Sequence, residues 1–231
     1  MSQRSLLVTI FLTLYAGTIF AAWPGADLAV SGWFRNWGAF GTRSGMGNAI
    51  RQFLHVLPIV VMAGLIAAWA IKTSRRPLAS MDWLRRFAPS TRGLIFAGLA
   101  LLLGPGLLVN AVLKDHWHRP RPVHVTEFGG PAEFRPWWRT DGACRTNCSF
   151  VSGEVAGAFW LAAPASLTPP PVRTQAMAAA LTIGTITAIG RLAFGGHFLS
   201  DVLFAALLTL LTCQILHLLL IDRKKDTGDS G

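Results

Sequence analysis

Six apolar runs, each close to the length of a membrane-crossing helix, decide what this chain can fold into. They cover residues 5–22, 53–71, 94–113, 151–167, 176–194 and 198–221. A helix rises about 1.5 Å per residue, so about 20 apolar residues cross the hydrocarbon of a bilayer. Inside hydrocarbon a lone segment must satisfy its own backbone polar groups, which makes such runs helical. The fourth and fifth runs are short and rich in Ala and Gly, which suits helices packed closely among other helices. No internal repeat, low-complexity tract or soluble domain interrupts the pattern. The expectation is an all-α membrane protein, a six-transmembrane-helix bundle forming one domain over residues 1–231. Its motif-bearing core covers about 94–221 and its polar tail 222–231. The first run also admits a signal-peptide reading, because Arg4 precedes it and Phe20, Ala21 and Ala22 resemble a cleavage site. A retained helix is preferred; removal would leave five spans.

Mean hydropathy of +0.45 agrees with a membrane protein. The net charge of +10 raises the question of nucleic acid. The basic residues, however, lie in loops between apolar runs, where they set orientation and meet anionic lipid. Binding to nucleic acid is therefore set aside.

Six spans place Arg4, Lys72, Arg75, Arg76, Arg85, Arg86, Arg92, Arg173, Arg223, Lys224 and Lys225 on one side. That is eleven of the 21 Lys and Arg. Three of the ten on the other side, Lys114, Arg121 and Arg191, are candidate site residues. Setting them aside makes the first side cytoplasmic and the second extracytoplasmic. The second side also holds Trp23, Trp33, Trp37, Trp117, Trp137 and Trp138, rings suited to the headgroup layer. Trp33 and Trp37 stand four apart, as on a short helix lying along the surface. Cys144 and Cys148 share the long outer loop, where they form either a disulfide in an oxidising compartment or two unlinked thiols. Cys213, inside the last run, reads as packing, as do His55 and His217, which are read as lying toward the other side.

Three short stretches gather on the outer side. The first runs from Lys114 to Pro122 and carries Lys114 and Arg121, fixed cations about two helical turns apart. Arg grips phosphate oxygens with a planar fork and Lys acts as a point charge. The alternative is that both are interfacial charges reaching to headgroups. The second stretch, Ser149 to Glu154, sets Ser152 and Gly153 at a helix start, where backbone N–H groups favour an anion. Ser152 could equally be an ordinary N-cap and Gly153 a packing glycine. Glu154 is costly at the top of a spanning helix unless it is paired or functional. The third stretch contains Arg191, Gly195, Gly196, His197 and Asp201. His197 and Asp201 are four apart on one helical face, so the carboxylate can hold the imidazole's tautomer. The paired glycines allow a reversal that brings Arg191 toward His197.

These motifs resemble the signature of the type 2 phosphatidic acid phosphatase superfamily: KxxxxxxRP, then PSGH, then SRxxxxxHxxxD. Lys114, Arg121 and Pro122 complete the first motif. Ser152 and Gly153 match the second, and Arg191, His197 and Asp201 the third. The resemblance implies that His197 attacks phosphorus to give a phosphohistidine and that Asp201 orients it. It further implies that Lys114, Arg121, Ser152, Gly153 and Arg191 hold the phosphate oxygens. Three cations facing a phosphate dianion leave no need for a metal or other cofactor.

Three positions depart from the signature. Glu154 stands where the family has the histidine that protonates the leaving oxygen. A carboxylic acid can do that work if its pKa is raised, so Glu154 is the first expectation for the acid. His116, His118 or His124 is the alternative source of the proton. Val151 replaces the usual Pro, and Gly190 the usual Ser, which removes one phosphate hydrogen bond. His116 and His118 alone are a poor zinc site.

The expected partner is a lipid phosphate or pyrophosphate in the bilayer, with lipid A or undecaprenyl pyrophosphate preferred. The expected location is a bacterial inner membrane, with the site facing the periplasm. A phosphotransferase would use the same site. A binder or transport protein without catalysis is the alternative from another class.

Overall fold

The computed structural model describes residues 1–38, 40, 45–74 and 87–222, without the side chain of Asp115. Arg75, Arg76, Arg85, Arg86, Arg223, Lys224 and Lys225, on which the orientation partly rests, lie outside the described residues, as does the tail from residue 223.

Among the described residues the helices longer than a single turn are, in chain order, α1 (Gln3–Ala22), α2 (Gly25–Asn36), α3 (Gly45–Thr73), α4 (Thr91–Leu113), α5 (Gly153–Trp160), α6 (Ala162–Ser166), α7 (Val172–Ala193) and α8 (Leu199–Leu220). Five of them, α1, α3, α4, α7 and α8, are long and apolar enough to cross a membrane. Their outward residues are the reverse of a soluble surface. Leu7, Phe11 and Leu14 on α1 and Phe53, Ile59 and Val60 on α3 are each more than half exposed.

The fourth apolar run departs from the expectation of a sixth continuous span. It breaks at Leu161 into α5 and α6. At about 1.5 Å per residue the pair reaches roughly 20 Å, short of a ~30 Å hydrocarbon layer. It lies among α3, α4, α7 and α8, with Ala156, Ala162 and Ala163 fully buried. Trp160 is buried too and donates its indole N–H to the Ala97 carbonyl at 3.0 Å. Small residues set the spacing. A Cβ on Gly184 of α7 would stand 2.7 Å from the Phe159 ring, so only glycine lets α5 approach so closely.

Helix α4 starts on a Ser90 cap, whose hydroxyl accepts from Gly93 N–H at 3.1 Å. Its second half, Leu102–Leu113, is wound as a π-helix around Pro105. Within that wider winding Asn110 Nδ2 donates to Pro105 O, five residues back, at 2.7 Å. Helix α1 packs along α8, with Gln214 Nε2 donating to Thr9 Oγ1 at 3.0 Å. Cys213 is buried on α8, whereas His217, also buried, has polar partners: its Nδ1 lies 3.2 Å from Asp222 Oδ2.

Helix α2 is the short helix expected around Trp33 and Trp37. Both rings are more than half exposed and stand 4.2 Å apart, while Asp27, Ser31 and Phe34 face inward. The long outer loop folds over the ends of α4, α5, α7 and α8. Trp117 and Trp137 stack on Phe150 beneath it, Trp137 also meets Phe204 at a tilt, and Cys144 and Cys148 are joined in a disulfide.

Candidate active site

The turn from α7 to α8 is built by its glycines. Gly195 has φ +63°, and a Cβ there would meet Phe40 and Val123 at 2.7 Å. A Cβ on Gly196 would stand 2.4 Å from Arg191 Nη2. The reversal thus lays the Arg191 guanidinium against the turn that carries His197. His197 is 2% exposed, and its Nδ1 lies 2.6 Å from the Ser149 carbonyl oxygen. A carbonyl oxygen can only accept, so Nδ1 carries the proton and Nε2 keeps its lone pair. Burial lowers the His197 pKa well below its ordinary 6.5, and the charges of Arg191, Arg121 and Lys114 lower it further. The bond to Ser149 opposes them. The product is a neutral imidazole surrounded by three cations.

Asp201 does not hold His197 directly. Its Oδ2 is 3.9 Å from Nδ1, beyond hydrogen-bond range. Its oxygens instead accept from Arg119 Nη1 at 2.5 Å, Ser149 Oγ at 2.5 Å and Phe198 N–H at 2.8 Å. The i, i+4 reading gave the right face but not the partner. Asp201 fixes Ser149, and the Ser149 carbonyl fixes the imidazole.

Two charged residues of this network were not singled out from sequence. Arg119 is fully buried, and its Nη2 reaches Asp27 Oδ2 of α2 at 2.7 Å. Asp27 also accepts from Ser200 N–H at 2.8 Å and from Ser200 Oγ at 2.6 Å. The Arg119 guanidinium lies 4.4 Å over the Phe198 ring. Asp27 had a signal: it is an acid between two apolar stretches, which the cost reasoning applied to Glu154 also covers.

Arg121 donates to the Asn147 carbonyl at 2.9–3.0 Å and to Asn147 Oδ1 at 2.7 Å. Asn147 sits inside the Cys144–Cys148 loop, so the disulfide borders the residue that positions this cation. Ser152 precedes α5, but its side chain makes no capping bond. Its Oγ is buried and has no hydrogen-bond partner among the described residues. Its N–H donates to the Asp201 carbonyl at 3.4 Å. A Cβ on Gly153 would stand 2.4 Å from Asn110 Oδ1, so glycine admits that side chain from α4.

Glu154 is where the geometry departs most from the expectation of an acid. Arg51 of α3 grips it with Nη2 at 2.6 Å and Nε at 3.0 and 3.1 Å. Arg191 Nη1 stands 3.7 Å away. A carboxylate accepting from one guanidinium and facing another has no proton to give. Arg51 escaped notice because it precedes the apolar run, whereas α3 begins at Gly45 and carries it into the site. His55, one turn further along α3 from Arg51, is exposed. It therefore stands on the same end of α3 as Arg51, not toward the other side, and is not buried packing. Of the three alternative histidines, His116 bonds the Val112 carbonyl and His118 the Cys144 carbonyl. His124 lines a cavity of about 590 Å³ together with Asn48, Arg51, Arg121, Asn147 and Arg191.

A helical membrane bundle that ends in a cationic cavity beside a buried neutral imidazole has the makings of a membrane phosphatase. The chain belongs to the PAP2 superfamily, whose profile matches residues 93–225. It is 36% identical over 220 residues to a lipid A 4'-phosphatase of Rhizobium etli, covering 85% of this chain and 83% of the relative. It is also 30% identical over 230 residues to a lipid A 4'-phosphatase of Francisella tularensis subsp. novicida, covering 97% and 100%. No solved structure matches. The chain is accordingly an integral-membrane phosphatase of lipid phosphates.

Proposed function

We propose that this protein hydrolyses a phosphate monoester on the lipid A headgroup through a phosphohistidine at His197. The observation that carries the reading is the 2.6 Å bond from His197 Nδ1 to the Ser149 carbonyl. It fixes the tautomer and leaves Nε2 as the nucleophile. Nε2 attacks phosphorus, the bond from phosphorus to the lipid oxygen breaks, and that oxygen leaves as an alcohol after taking a proton. Water then attacks phosphorus, breaks the P–N bond and releases orthophosphate with His197 restored. Lys114, Arg121, Arg191, Ser152 and the Gly153 turn hold the phosphate oxygens and the charge that builds on them. Arg51 and Arg191 bind Glu154, so Glu154 positions cations, and His124 supplies the leaving-group proton from the cavity wall. Asp201 is a positioning residue acting through Ser149.

The whole chain works as one membrane domain, with α5 and α6 completing the bundle as its sixth segment. The site faces the periplasm from a bacterial inner membrane. The Cys144–Cys148 disulfide supports that side, because such bonds persist in oxidising compartments. The names of the two relatives support lipid A over undecaprenyl pyrophosphate.

The test is phosphate release by detergent-purified protein in EDTA. The substrates are lipid A, undecaprenyl pyrophosphate and phosphatidylglycerophosphate, each with parent and His197→Ala. Release from lipid A that vanishes in His197→Ala is expected. Release that survives His197→Ala contradicts the mechanism, and release only from another lipid contradicts the substrate.

A further inference from the structure

Beside the polar cavity lies a second chamber of about 210 Å³ between α3 and α7. Its walls are Ile50 and Leu54 on one side and Ile186, Gly190 and Phe194 on the other. The two spaces are continuous in their lining: Gly47, Arg51, Arg191 and Phe194 border both. Ile50 and Ile186, on the lips of the chamber, are each about half exposed on helices that cross the membrane. A largely apolar space thus opens between two membrane-crossing helices at one end and meets the Arg51–Glu154 pair and Arg191 at the other.

Gly190 is the residue that departs from the Ser of the family signature. A Cβ built on Gly190 meets nothing within 4 Å. No neighbour packs into the space that a side chain there would fill, so glycine is not required by close helix packing. What its absence of side chain does is leave the chamber wall open.

We propose that this chamber binds the first methylenes of an acyl chain of the lipid phosphate substrate, and that Gly190 sets which lipids fit. The proposal rests on the phosphate site assigned above and adds the apolar subsite next to it. A lipid phosphate whose acyl chain leaves the headgroup close to the phosphate would occupy both spaces at once. Apolar burial in the chamber would hold the ester over His197 while the cations take the phosphate. A lipid whose chain begins far from its phosphate would gain nothing from the chamber.

The test fills the chamber. Gly190 has no positive φ and its Cβ direction is unobstructed, so Gly190→Leu and Gly190→Phe are compatible with the backbone. The probes are intact lipid A and lipid A stripped of its ester-linked chains. The expected result is that the kcat/KM ratio of intact to stripped lipid falls about tenfold in both variants, with a smaller fall in Gly190→Ala. An unchanged ratio, whether both activities persist or both fall together, overturns the proposal.

A second readout needs no turnover. His197→Ala protein is photolabelled with lipid A carrying a diazirine near the head of an ester-linked acyl chain. Adducts are expected at residues 50–54 of α3 and 186–194 of α7, and adducts confined to other helices overturn the proposal. Failure of the phosphohistidine reading would show instead as phosphate release surviving His197→Ala, with the labelling pattern unaffected.

Discussion

His197 is held by a backbone carbonyl, that of Ser149 at 2.6 Å, and not by the carboxylate of Asp201 at 3.9 Å. The nucleophile therefore depends on where the Ser149 segment lies, and Asp201 and Arg119 place that segment. Its charge state depends on burial and on Arg191, Arg121 and Lys114, all of which oppose protonation.

A pH dependence follows from that opposition. The folded pKa of His197 is below its unfolded value near 6.5. Above 6.5 neither state binds the proton, whereas below 6.5 the unfolded state binds it first, so stability falls as pH falls. Melting temperatures at pH 7.5 and pH 5 should differ more for the parent than for His197→Gln. In kcat/KM the acidic limb assigned to His197 should lie below pH 6.5. An equal loss of melting temperature in parent and variant would count against the buried neutral imidazole.

Glu154→Gln separates the two accounts of the proton. If Glu154 only positions Arg51 and Arg191, the variant should keep activity within about tenfold of the parent, and its loss should be mainly in KM. His124→Ala should lose about 100-fold in kcat on lipid A. It should lose far less on an aryl phosphate, whose leaving group needs no proton. The opposite pattern, with Glu154→Gln failing on lipid A and rescued on the aryl ester, would return the acid role to Glu154.

The disulfide should matter to phosphate binding through Asn147. Cys144→Ser with Cys148→Ser should weaken inhibition by inorganic phosphate several-fold, since Arg121 loses the loop that orients it. Asn147→Ala should do the same with the disulfide intact. Unchanged inhibition in both would show that Arg121 positions itself.

Asp27→Asn tests the buried network. Arg119 lies between Asp27 and Asp201, and none of the three is more than 1% exposed. Breaking one side of such a pair leaves buried charge uncompensated and costs about 3–5 kcal/mol. Thermal unfolding should register that loss, and replacing Arg35, whose guanidinium lies over the Phe128 ring, should register almost none.

The helical membrane class and the meeting of the three motifs were legible because hydropathy and loop position determine both. Lys114, Arg121 and Arg191 were readable as phosphate-holding cations on the side that carries His197 for the same reason; that their charges also act on the imidazole was not. The partners were less so. Whether His197 finds a carbonyl or a carboxylate depends on the path of the outer loop, which periodicity does not describe. Arg51 was hidden by the difference between an apolar run and the helix that contains it. Arg119 stood in plain view between His118 and Pro120, but its burial depends on Asp27, a residue far away in sequence. The fourth run read as a span because length was judged by apolar composition, whereas Leu161 divides it.

The most direct measurement is acid-quench and alkali-quench trapping of protein mixed with lipid A carrying a radiolabelled phosphate, beside His197→Ala. The account predicts a protein-bound label that is stable in alkali, labile in acid, maps to His197 and is lost in the variant. Turnover of the same substrate by His197→Ala, or a label carried by another residue, would contradict it.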